Sequence, residues 1–174
     1  MKKRGQFYLI AAIILSLLIL GFISMTNYSK KQSSITVQDF GKELNIESKN
    51  VLDFGTYSGY SQTQMQELMK NFSSDYIINA RNEKESYFVF GDSSLIKVVG
   101  YFETAKTIFV DVGAGKVSMN INKQQISSQD FNPSSSTVIL TIDGKDYSFA
   151  LKSGKNFYFI LFEKIGDEEY AVRN

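Results

Sequence analysis

The chain has 174 residues and contains no cysteine, no histidine, no tryptophan and a single proline, Pro133. Without Cys there is no disulfide, no thiolate nucleophile and no thiolate-held zinc or iron–sulfur centre. Without His there is no imidazole base, no imidazole metal ligand and none of the usual triads. An excess of one charge is also missing: 19 Lys+Arg face 18 Asp+Glu, a net charge of +1. Nothing in that balance attracts a polyanion, so nucleic acid is not expected as a partner. The acids do not converge either. Asp143 and Asp146 flank one turn and Asp167-Glu168-Glu169 occupy another, and neither patch has the twelve-residue spacing of a calcium loop. Asp111 obeys strand alternation with Phe109, which puts it on a half-exposed face at no desolvation cost. Gly113-Ala114-Gly115-Lys116 lacks the spacing of a phosphate-binding loop and reads as a turn. No catalytic, cofactor-binding or metal-ligating residue can be nominated from this inventory. The chain is read as a non-enzyme without a cofactor.

What the sequence does have is a long uncharged run. Phe7 to Met25 carries no charge and follows Lys2, Lys3 and Arg4 after only Gly5 and Gln6. A helix of that length spans about 28 Å, close to the ~30 Å hydrocarbon core of a bilayer. The positive-inside rule keeps the short basic cluster cytoplasmic and sends the rest outward. The expected organisation is therefore a basic cytoplasmic leader at 1–6, a transmembrane helix at 7–26, a juxtamembrane linker at 27–35 and an extracytoplasmic α+β domain at 36–174. The expected location is a single-pass cell-membrane protein with residues 27–174 outside. A cleaved secretory signal is the rival, but residues 20–29 offer no small-residue pair of the kind such cleavage wants.

The segment Lys2-Lys3-Arg4-Gly5-Gln6, followed at once by the apolar run from Phe7, resembles the N-terminus of type IV pilins, particularly archaeal ones. The resemblance covers about 26 of the 174 residues. It implies cleavage between Gly5 and Gln6 by a prepilin-type peptidase and a surviving helix that anchors the protein and packs in assemblies. Ile10 stands where many bacterial members carry a glutamate.

Beyond the linker the periodicity changes twice. Thr36-Val37-Gln38-Asp39 and Ser61-Gln62-Thr63-Gln64 both read as capping boxes. The first predicts a helix over about 36–50 and the second one over about 61–78, with Gly55, Ser58 and Gly59 in a loop between them. Met65 and Met69 are expected in the core. From Glu85 onward the chain turns strand-like, with runs at 86–90, 95–102, 107–112, 116–121, 137–142, 147–151, 157–163 and 170–173. Asp143-Gly144 suits a tight hairpin turn. Asn132–Ser136 is either a crossover between sheets or an exposed loop. The expected fold class is α+β: an N-terminal transmembrane helix, short helices, then an antiparallel β-sandwich or strongly curled antiparallel sheet. In Phe157–Phe162 both faces are apolar, which places that strand centrally beneath a helix or at a protein–protein contact.

The function expected from these features is a membrane-anchored structural or assembly protein, pilin-like, with a β-rich head. Its partners would be the lipid bilayer, the processing peptidase and either further copies of itself or an envelope protein. The alternative is a non-assembling cell-surface module that binds a protein or glycan. Asn27-Tyr28-Ser29 and Asn71-Phe72-Ser73 are the two glycosylation sequons, at Asn27 and Asn71.

Overall fold

The computed structural model describes residues 37–79, 85–154, 156–165 and 168–174. Val37–Asn174 forms one unit. Two helices, α1 described over 37–57 and α2 over Gln62–Asn79, precede nine strands. These are β1 (Glu85–Gly91), β2 (Ile96–Tyr101), β3 (Lys106–Asp111), β4 (Lys116–Ile121), β5 (Ile126–Phe131), β6 (Thr137–Ile142), β7 (Lys145–Ala150), β8 (Asn156–Ile165) and β9 (Glu168–Arg173).

The capping chemistry explains where α2 begins. The Ser61 N–H donates to Gln64 Oε1 at 2.9 Å, and the Gln64 N–H returns to Ser61 Oγ at 3.4 Å. Thr36, the cap expected for α1, lies outside the described residues. Helix α1 runs to 57, past the stop expected near 50, and Gly55 is inside it. A Cβ on Gly55 would sit 2.8 Å from Met65 Sδ, so this glycine permits close approach of α2 and does not mark a loop. The helix stops where Gly59 takes φ 69°. There the Gly59 N–H donates to Thr56 O at 3.1 Å and the Tyr60 N–H to Gly55 O at 2.9 Å, the paired bonds of a Schellman end.

The strands form two sheets, a five-stranded one in the order β5-β2-β1-β8-β9 and a four-stranded one in the order β4-β3-β6-β7. Every pair of named strands is antiparallel. One core lies between the sheets, where Tyr87, Val89, Ile160 and Phe162 meet Ile108, Val110, Leu140 and Phe149. A second core lies on the other face of the five-stranded sheet, where Phe88, Phe90, Phe157 and Phe159 meet Leu44, Met65, Met69 and Ile77. Phe157 is the hub of that second core, 5.8 Å from both Phe72 and Phe88 and 6.2 Å from Phe90. Asn132–Ser136 carries the chain from one sheet to the other. It is held by the Ser134 and Ser135 N–H groups donating to Val112 O at 2.8 and 3.1 Å.

Several expectations need correction. Neither a closed sandwich nor one strongly curled sheet forms. Both sheets are open, because β5, β9, β4 and β7 each pair on one side only. Strand β5 (ISSQDF) was not expected, since its central residues are polar and only Phe131 is buried. Among the described residues no helix is long and apolar enough to cross a membrane. Helices α1 and α2 are instead short covers for a sheet, with charged residues such as Glu47 and Glu67 along their exposed sides. The transmembrane fold, the pilin-like identity and the membrane-anchored assembly function are therefore withdrawn. So are the cell-surface alternative, the single-pass localisation and the partnerships with bilayer, peptidase, envelope protein or further copies of the chain. The segment that suggested them, Phe7–Met25 with Gly5, Gln6 and Asn27, lies outside the described residues.

Candidate functional site

The most exposed aromatics lie where α1 hands over to α2. Tyr57 is 95% exposed and Phe54 56% exposed, and Ile46 joins them at 62%. Positions 46, 54 and 57 fall on one outward stripe of α1, a face that no described element covers. Tyr60, just past the helix end, packs edge-on against Phe54 with ring centroids 6.0 Å apart.

Tyr60 also borders a cleft of about 740 Å³, whose lining includes Leu52, Met65 and Phe157. Much of its polar lining is committed to holding the fold. Asn156, buried at the start of β8, accepts the Lys152 N–H at 2.8 Å and donates to Gly154 O and Lys152 O, both at 3.1 Å. Asn174 accepts the Phe159 N–H at 2.9 Å and donates to Phe157 O at 3.2 Å, which ties the chain end to β8. Tyr158 donates to Ala150 O, and burial pushes its hydroxyl pKa up. Ser48 and Thr56 donate to Asn45 O and Leu52 O at 3.2 and 2.8 Å. The Lys49 and Lys152 ammonium groups, the Asp53 carboxylate and the Tyr60 hydroxyl have no polar partner among the described residues, and all four line the cleft. This is a lining of mixed charge and apolar side chains, suited to holding a ligand. Its Ser48 and Thr56 hydroxyls are engaged as donors to helix carbonyls.

A second unusual place is the end of the inter-sheet core. Burial pushes Glu85 up to about 7 against the pull of Lys106, with Glu169, Asp143 and Glu103 adding to the rise. The nearby Tyr87 hydroxyl is buried and has no partner among the described residues. Lys106 is held by Asp143 and sits 4.1 Å above the centre of the Phe102 ring. The lysine's engagement with a carboxylate and a ring makes this a cap on the core.

The residues singled out from the sequence are dispersed. Asp146 accepts from Thr141 at 2.6 Å and from Lys116 at 3.4 Å, and the Thr141 hydrogen bond leads in lowering its pKa. Asp111 caps the β3–β4 turn by accepting the Gly113 and Gly115 N–H groups at 2.8 and 3.2 Å. Asp167 lies outside the described residues. Asn71 is exposed on α2, while the Ser73 hydroxyl of its sequon is buried and donates to Met69 O at 2.8 Å. No group of three or more acidic side chains among the described residues could hold a metal ion. The aromatic run Phe157–Phe162 is interior, and the exposed aromatics at the α1–α2 corner are Phe54, Tyr57 and Tyr60. Their one sequence signal was the interleaving of Tyr57 and Tyr60 with glycine and serine.

No family model, curated protein or solved structure matches this chain. The site alone therefore carries the functional reading.

Proposed function

We propose that this domain is a non-catalytic protein-interaction domain. Its α1–α2 corner and the adjoining cleft take up a segment of another protein. The observation that carries the reading is Tyr57 at 95% exposure beside Phe54 at 56%. Rings of this size bury ~150–250 Å² each on docking, several kcal/mol at ~25 cal/mol per Å² before association costs are met. Aromatics that stand free next to a cleft are the usual anchors of such contacts. The mixed charges of Lys49, Asp53 and Lys152 supply a polar rim.

The full chain, immobilised, should capture a defined protein from extracts of its source cells. Capture should drop at least tenfold with Phe54→Ala/Tyr57→Ala and persist with Phe109→Ala, which removes an exposed ring elsewhere. If every captured protein is retained equally by the double variant, the corner is not the docking site and the reading fails.

A further inference from the structure

On the flank of α1 opposite the cleft lies a separate groove of about 380 Å³, bounded by Phe40, Glu43 and Glu47 of α1 and by Phe72, Asp75 and Tyr76 of α2. Phe40, Phe72 and Tyr76 are half-buried and pack down onto the core, so the groove has an aromatic floor. The three carboxylates stand exposed at its edges. None of them is paired with a cation among the described residues, whereas Asp39, Glu67 and Asp130 elsewhere on the surface each have a lysine within 4.0 Å. Asn79, the last residue of α2, also lines the groove, and the last turn of that helix holds no basic residue. The negative end of that helix's dipole adds to the negative potential of the carboxylates. The Tyr76 hydroxyl donates to Phe40 O at 3.4 Å. Burial first, then the charges of Glu43 and Glu47, push its pKa above the usual tyrosine range, which places those carboxylates near the floor.

We infer that this groove receives an arginine or lysine side chain from an extended segment of a partner protein. Aromatic rings attract a cation over their faces, and a partly desolvated cation gains from each carboxylate at the rim. An apolar or acidic segment would leave those carboxylates desolvated and unpaired, so the groove selects by charge. This inference does not rest on the aromatic corner. The two surfaces occupy different flanks of α1 and can fail separately.

The test uses the full chain and a fluorescein-labelled Gly-Arg-Arg-Gly peptide, followed by anisotropy at near-physiological salt. The control probe replaces both arginines by citrulline, which keeps shape and removes charge. Saturable binding of the arginine peptide and at least tenfold weaker binding of the citrulline peptide are expected. The variant Glu43→Gln/Glu47→Gln/Asp75→Asn should weaken arginine-peptide binding at least tenfold. Neutralising Glu67, Glu103 and Asp130 makes the same charge change elsewhere and should alter it less than twofold. Amide shifts on titration should concentrate at 40–47 and 72–79. Equal weakening by the two triple variants would reduce the effect to diffuse charge attraction and overturn the inference. Equal binding of both peptides, or no saturable binding, would overturn it as well.

Discussion

In the five-stranded sheet every residue from Ser86 to Gly91 of β1 is buried, and β2 buries all but Lys97. In the four-stranded sheet β6 buries Val138, Leu140 and Ile142 and leaves the residues between them half-exposed. Strand β4 likewise buries only Met119 and Ile121. The first sheet has helices on one face and the second sheet on the other, whereas no described element covers the outer face of the second sheet. A strand that loses its alternation therefore reports two covered faces, and one that keeps it reports a single covered face. The aromatics divide in the same way: Phe88, Phe90, Phe157 and Phe159 fill the helix-side core, and Phe109 stands 43% exposed on the open face.

The sharpest way to break this comparison is Phe88→Ala, which empties the helix side of the central sheet. It should cost about 3–5 kcal/mol in urea unfolding. A loss below about 1.5 kcal/mol would mean that the helices cover the sheet without building a core on it.

Neighbouring residues of β3 test the open face. Ile108→Ala should cost about 2–4 kcal/mol, while Phe109→Ala, though it removes more atoms, should cost no more than about 1 kcal/mol. Similar losses from both would show that something covers the outer face in solution.

The β6–β7 hairpin has Asp143 at φ 51° and Gly144 at φ 75°, with open space where a Gly144 side chain would project. Gly144→Val should therefore cost about 1–2 kcal/mol from backbone strain alone, and Lys145→Val within about 0.5 kcal/mol. Equal effects would remove the turn as the element that sets the β6–β7 register.

The smallest effect concerns pH. Glu85 is raised from 4.5 to about 7, so the folded state holds its proton more tightly than the unfolded chain. The associated stability is fully present below pH ~4.5 and is lost as the pH rises through ~7. Glu85→Gln should flatten the fall in stability over that window by about 1 kcal/mol, allowing for screening at a half-buried carboxyl. An unchanged slope in thermal melts between pH 5 and 8 would show that Glu85 is not held in the inter-sheet core.

Parts of the fold were legible because they depend on near neighbours. Ser61–Gln64 announces α2 through bonds that span three residues. Asp143-Gly144 announces its hairpin because its backbone angles are costly for most other pairs. Strand β5 was not legible. As an edge strand it is paired only with β2 and draws its order from that ladder more than from its own apolar residues. Gly55 misled for a related reason, since its role inside α1 is set by the approach of Met65, ten positions away. The exposed corner could not be read either. Phe54 differs from the buried Phe88 and Phe90, and Tyr57 from the buried Tyr87, in burial and not in residue type, and burial is settled by what packs above them.

By itself the sequence determined which chemistries are closed to this protein, where α2 and the tight hairpin start, and that the second half would form strands. Those properties follow from side-chain inventory and from contacts a few residues apart. Only the tertiary structure decided that the strands divide into two open sheets and that the described helices cover one of them. It alone decided that Phe54, Tyr57, Tyr60 and Phe109 are left in solvent while most of the described aromatics are covered. Each of these outcomes depends on contacts between residues far apart in the chain, and a local periodicity carries no record of which distant surface will cover it.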